Sequence, residues 1–236
     1  LRWMNFGASV GGRGRPVNQL FLENLPISFQ LGLAALVVAL AIGVPSGVIA
    51  ALNRNSWLDY VSMGVAIAGV SVSIIVSAPL LQYLFGVQWK LLPASGWGTL
   101  QQAILPSFAL GFTYSALLAR LTRASVLQVL NEDYIRTARA KGLSERVVVI
   151  LHALKNALIP VVTVIGPLFA LLVTGTFVAE TIFGIPGMGR YFVTSVTNRD
   201  FTVVMGTILL YAGFLVLANL LVDIIYAWLD PRIRLS

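Results

Sequence analysis

From Pro26 to Leu52 the chain runs without a charged residue, through Leu31-Gly-Leu-Ala-Ala-Leu-Val-Val-Ala-Leu-Ala-Ile42. A helix of about 20 apolar residues crosses a bilayer's hydrocarbon core, so this stretch is long enough to span one. Four further candidates follow: about Leu58 to Phe85, Ala103 to Leu118 with its extension Ala119-Arg-Leu-Thr-Arg123, Ala157 to Val178, and Thr202 to Trp228. With 58% hydrophobic and 11% charged residues, the chain holds more apolar surface than one water-soluble core can hide. The long runs lack the alternation of a membrane β-barrel, so helices are expected. The fold class expected is all-α: a polytopic membrane protein with five spanning helices.

The residues between the spans differ in kind. Asn53-Arg-Asn-Ser-Trp57 is a tight polar turn, which makes a hairpin of the first two spans. Residues 86–102 hold Pro93, Ser95, Gly96, Trp97 and Gly98 and read as a loop with interfacial aromatics. Residues 179–201 contain Phe183-Gly-Ile-Pro-Gly-Met-Gly-Arg190, whose glycines and proline break helix while its apolar side chains can fold back toward the membrane. Two readings of that loop stand: a structural re-entrant segment, or a surface at one mouth of a pathway.

The third link is the charged interlude Asn131-Glu-Asp-Tyr-Ile-Arg-Thr-Ala-Arg-Ala-Lys-Gly-Leu-Ser-Glu-Arg146. Its side of the membrane receives Arg54, Arg120, Arg123, Arg136, Arg139, Lys141, Arg146, Lys155, Arg232 and Arg234. Lys90, Arg190 and Arg199 fall on the other side, with Arg2, Arg13 and Arg15 of the N-terminal segment. The positive-inside rule then places the interlude and the C-terminal tail, residues 231–236, in the cytoplasm and residues 1–25 outside. An external N-terminal segment without a signal sequence implies a further span ahead of Leu1. The net charge of +7 reports these loops rather than nucleic-acid binding.

Within residues 128–157 the pattern predicts a helix from Asp133, acidic at its start and basic at its end as the helix dipole favours. Gly142 supplies a left-handed stop. Ser144 is an N-cap for a second helix from Glu145 to about Leu158. On charge alone this is a solvated loop, and its glycine-hinged geometry also suits a docking element. Cysteine is absent and His152 is the single histidine, which excludes disulfides, thiol nucleophiles and a histidine metal cluster. No catalytic, cofactor-binding or metal residues are expected in this chain. Asp223 is the ionisable residue that the sequence places at membrane depth, near the inner end of the last span.

The interlude resembles the cytoplasmic loop of ABC importer permeases, Glu-Ala-Ala-x-x-x-Gly followed by Ile-x-Leu-Pro. Of that generic pattern only Ala138, Gly142 and Leu154 match. Asp133 to Gly142 and His152 to Pro160 fit the peptide-type variant, Asp-Tyr-x-Arg-Thr-Ala-Arg-Ala-Lys-Gly with His-x-Leu-x-Asn-Ala-x-x-Pro. Asn5-Phe-Gly-Ala-Ser9, Leu117 to Ser125, Phe183 to Arg190 with Asn198-Arg-Asp200, and Leu229-Asp-Pro-Arg-Ile-Arg234 also look like segments of the B-type subunit of dipeptide and oligopeptide permeases.

The resemblance implies six helices, the first lying ahead of this chain, and a permease domain over residues 26–230 in a bacterial or archaeal cytoplasmic membrane. It implies a second homologous permease, two cytoplasmic ATPase subunits that carry ATP and magnesium, and an external substrate-binding protein. Asp133, Arg136, Ala138, Arg139, Ala140, Lys141, Gly142, Leu143, Ser144 and Glu145 become the expected coupling contacts to the ATPase. Glu180, Phe183, Pro186, Gly187 and Arg190 become the expected contacts of an external gate or binding-protein loop. The sequence lacks a Gly-x-x-x-x-Gly-Lys-Ser/Thr phosphate loop, so hydrolysis belongs to another chain. A self-sufficient secondary transporter or channel is the competing reading, and would need charged groups buried along a pathway.

Overall fold

Helix α1 runs from Val17, directly after Pro16, to Leu52. The computed structural model describes residues 16–229, without the side chains of Gly175, Ala218, Val222, Asp223 and residues 225–229. The expectations placed on residues 1–15, on Asp223 and on the tail 231–236 lie outside the described residues. Helix α1 begins well before Pro26, so residues 17–25 of the expected external segment are helical. Val17, Leu20 and Phe21 share one face of that first turn and pack against Met188 and Val203. At 36 residues α1 rises about 54 Å, far more than a hydrocarbon core. Pro45 removes a backbone donor inside it, and next to it the Ser46 hydroxyl donates back to the Ile42 and Gly43 carbonyls at 2.7 and 3.0 Å.

The hairpin turn forms as expected, with Asn55 left-handed at φ 62° and Ser56 capping α2, Trp57–Ser71, through the Asp59 N–H. The expected second span is not one helix. It breaks at Val72 and Ser73, both extended, before α3, Ile74–Leu81, and a π-helical turn, Gln82–Gln88. Ser73 caps the Ile75 N–H, offering the chain a local alternative to helix, and β-branched Val72 suits extended backbone.

Helix α4, Leu100–Leu130, is longer at both ends than the apolar run that predicted it. Two short helices follow, α5, Asp133–Ala140, and α6, Glu145–Val147. The latter continues through a π-helical turn, Val148–Ala153, into α7, Leu154–Ala157. Next come α8, Ile159–Gly175, α9, Phe177–Phe183, α10, Met188–Thr197, and α11, Phe201–Leu229. The expected loop 179–201 is therefore mostly two helices around a tight turn, because Gly184 and Gly187 confine the break to residues 184–187.

Among the described residues three helices are long and apolar enough to cross a membrane, and five spans result if each of two broken pairs counts as one. All regular structure among the described residues is helical, apart from an isolated bridge at Pro16. The chain is an all-α polytopic membrane protein.

The fold divides into two compact units. One comprises the described residues up to Leu36, Ser73–Gly111 and Pro167–Leu221. Its core joins α1, α10 and α11 through the Phe21 cluster, and the rings of Phe29, Phe169 and Phe214 meet edge-on at 5.0–6.0 Å. The other comprises Val37–Val72, Phe112–Gly166 and the described residues from Val222. There Gly43 and Gly47 lie against the backbone of Ser115 and Ala119, so α1 and α4 touch main chain to main chain. This is the small-residue contact through which membrane helices pack without a hydrophobic driving force.

Candidate functional site

The charged interlude folds as a two-armed element in the second unit. Asp133 opens α5, and Thr137 and Arg139 carbonyls accept from the Lys141 and Gly142 N–H groups as the helix ends. Gly142 then turns the chain at φ +76°. A Cβ there would meet nothing within 4 Å, so the glycine answers a conformational need, not a lack of room. Ser144 occupies the N-cap position of the second arm with extended backbone, but its hydroxyl makes no capping bond.

The inner faces of the arms make a small core. Ile135, Ala138, Val148 and Ala153 are buried together, backed by Val129 and Leu130 at the end of α4. Ala138 thus differs from the other expected contacts: it packs inward. Asp133, Arg136, Arg139, Ala140, Lys141, Gly142, Leu143, Ser144 and Glu145 are all exposed, in one ridge around the turn. Arg139 pairs with Glu145 across it at 3.0 Å, and the Asn156 amide donates to the Tyr134 hydroxyl at 2.9 Å. Both contacts are exposed and individually weak. Arg139, Glu145 and Arg146 also border a groove of about 520 Å³ whose apolar wall is Val48, Leu52, Leu130, Val149 and Ile150. The element is a polar ridge above an apolar groove, stiffened from inside, which is a shape for contact rather than for chemistry.

The α9–α10 turn belongs to the first unit and is built around one carboxylate. Glu180 is fully buried, and its oxygens accept from the Ser28 hydroxyl at 2.6 Å, the Thr176 hydroxyl at 2.8 Å and the Arg190 N–H at 3.1 Å. Ser28 in turn accepts from the Met188 N–H at 2.8 Å. The carboxylate therefore sits at the N-terminus of α10, where the helix dipole and free amides favour negative charge. Gly187 lies directly on it and Gly189 lies on the Phe177 backbone; a Cβ at either would overlap those atoms. Phe183 is buried as well, its carbonyl accepting from Gly96 N–H at 3.0 Å. Gln82 donates to the Ala94 carbonyl at 2.8 Å, so residues 94–96 are stitched to this turn.

Of the residues expected to face a binding protein, Glu180, Phe183 and Gly187 thus form the frame, and Pro186 and Arg190 are exposed on it. A charge with this many donors is satisfied where it stands, so burial costs less than for an unpaired carboxylate. Ser28, Thr176 and Gln82 were not singled out by the sequence. Their one signal is a lone polar residue within an apolar run.

Asp59 was missed too, a buried ionisable group that the sequence did not single out. It is buried near the start of α2 and receives Arg123 through two bonds of 2.7 Å, with the Asn55 N–H at 3.0 Å. This bidentate pair lets α4 carry an arginine among apolar residues.

The family of binding-protein-dependent transport system inner membrane components matches residues 43–235. The chain is 48% identical over 231 residues to the dipeptide transport system permease protein DppB of Bacillus subtilis (strain 168), covering 98% of this chain and 75% of that protein. It is 45% identical over 232 residues to the oligopeptide transport system permease protein OppB of Salmonella typhimurium (strain LT2), covering 98% and 76%. Among solved structures, the MetNI methionine ABC transporter in inward-facing conformations has a chain that superposes with a TM-score of 0.78 at 16% identity, over 90% of this chain and 97% of that one. A chain of an amino acid ABC transporter solved with histidines superposes with a TM-score of 0.70 at 17% identity, over 89% and 94%. The two superpositions speak for the fold alone.

Proposed function

Since this chain belongs to the family of inner-membrane components of binding-protein-dependent transport systems, we propose that it forms half of the path by which such a system imports peptides. The permease role follows from the family, and peptide is the class because relatives at 44–48% identity are named for dipeptides and oligopeptides. The chain is not the ATPase: no phosphate loop occurs in its sequence. It works with a second homologous permease, two ATPase subunits that bind ATP and magnesium, and an external substrate-binding protein. Its C-terminus is cytoplasmic.

The observation that carries the coupling role is the ridge around Gly142. Its outer residues are exposed, while the inner ones hold the arms as one body. A partner that seizes residues 139–145 therefore moves both arms together. Pro186 and Arg190, exposed over the Glu180 frame, face the binding protein. Self-sufficient ion-coupled transport fits less well, because Asp59 and Glu180 are closed off by their own partners.

The test is uptake of labelled peptides into proteoliposomes holding the complete complex. Wild type requires ATP and the binding protein. Gly142→Pro cannot adopt φ +76°; it inserts normally and loses both uptake and binding-protein-stimulated hydrolysis. Uptake by wild type without ATP would refute ATP-driven import in favour of self-sufficient transport, and normal uptake by the proline variant would refute the ridge.

A further inference from the structure

The second arm of the coupling element meets α8 at a break, and the break carries a tie to α4. Pro160 has no N–H to give the Asn156 carbonyl four residues back, which interrupts the helical ladder at this point. Helices Glu145–Ala157 and Ile159–Thr174 are accordingly bent by 46° about Leu158. Backbone bonding resumes with Val162 N–H to the Leu158 carbonyl at 2.9 Å, which leaves the Ala157 carbonyl without the helical donor it would have had. Ala157 is fully buried among Ala51 and Val126, where an unpaired carbonyl is costly. The Ser125 hydroxyl fills that place, donating at 2.7 Å from a buried position on α4.

We infer that Ser125 is a positioning residue of the coupling path: its bond to the Ala157 carbonyl fixes the bend at Leu158 and makes it the pivot through which motion of the Gly142 ridge enters α4 and α8. The arms are held to one another by the buried Ile135 core, to which the exposed Arg139–Glu145 pair and Tyr134–Asn156 bond add little, so displacement of the ridge is not absorbed within them. It reaches the break as a rotation. A free carbonyl at that point would take water or a new donor and let the bend vary, whereas a held one passes the rotation on. The inference rests on the coupling reading above and adds the residue that transmits it.

Ser125→Ala, Ser125→Cys and Ser125→Thr are compared in the assembled complex in proteoliposomes, reading peptide taken up per ATP hydrolysed. Thr keeps a hydroxyl and retains the wild-type ratio. Ala and Cys lower it about tenfold, the scale of one buried hydrogen bond lost from one of two states. Hydrolysis itself continues and depends less on the binding protein. Because the chain has no cysteine, spin labels at Arg146 and Thr163 can follow the bend in the Ala variant; their distance distribution broadens while that of the Thr variant does not. If Ala lowers the yield of complex, Cys, which keeps the volume of Ser but donates weakly, decides. A wild-type ratio in Cys or Ala overturns the inference, as does a loss of uptake that merely parallels a loss of hydrolysis. In either case wild-type uptake, and with it the transport reading, still stands.

Discussion

Gly187 sits on a carboxylate. A methyl added there would overlap Glu180, whose oxygens cannot withdraw without breaking the bonds from Ser28, Thr176 and the Arg190 N–H. Gly187→Ala is therefore expected to destabilise the purified complex by about 1–3 kcal/mol, the usual scale of overpacking. A lower midpoint of thermal unfolding in detergent would show it, and an unchanged midpoint would mean that the Glu180 frame yields without cost. The same arrangement explains why this residue type was legible in the sequence and its reason was not. A glycine after proline reads as a turn, and here the turn is real. But the demand on Gly187 comes from a side chain that the turn itself brings inward, and from Ser28 on another helix, which no local pattern announces. Asp59 and Arg123 teach the same lesson. Each looks like a charge at the edge of a span, and only the packing of α2 on α4 makes them a buried pair.

At the level of elements, apolar length was a good guide where a helix packs on another along its whole course. It failed at Val72-Ser73, where a capping serine outweighs continuous hydrophobicity, and at residues 17–25, where a short apolar face docks on α10 and extends a helix past its membrane-sized run. The Gly142 turn was foreseeable because charge, capping and glycine all point the same way within one short segment. Contact between α1 and α4 depends on Gly43 and Gly47, a spacing that places both on one face. Gly47→Leu would force the backbones apart at Ala119 and Thr122, and we expect the variant to give little assembled complex by gel filtration. Gly142→Ala, with open space around it, bears only the roughly 1–2 kcal/mol of a left-handed backbone and assembles at close to wild-type yield. Equal yields for the two variants would contradict the packing account.

Taken whole, the chain concentrates ten basic residues on the side assigned to the Gly142 ridge and leaves the other to Lys90, Arg190 and Arg199 with Arg2, Arg13 and Arg15 of the N-terminal segment. A fluorescent protein that matures only in the cytoplasm, fused after Ser236, should light up, while a periplasmic phosphatase reporter at the same place stays silent; the reverse result would invert the topology and strip the Gly142 ridge of access to an ATPase. Assembly in time is the remaining consequence. Ser28 and Glu180 are 152 positions apart, yet each completes the other's bonding. While the nascent chain is still shorter than that, α1 lies in the bilayer with its hydroxyl uncommitted, and the Val17–Phe21 face waits for Met188 and Val203. The first unit closes only as the last helices leave the ribosome. A chain halted before Glu180 would leave α1 without the acceptor of its Ser28 hydroxyl and without the residues that cover its Val17–Phe21 face.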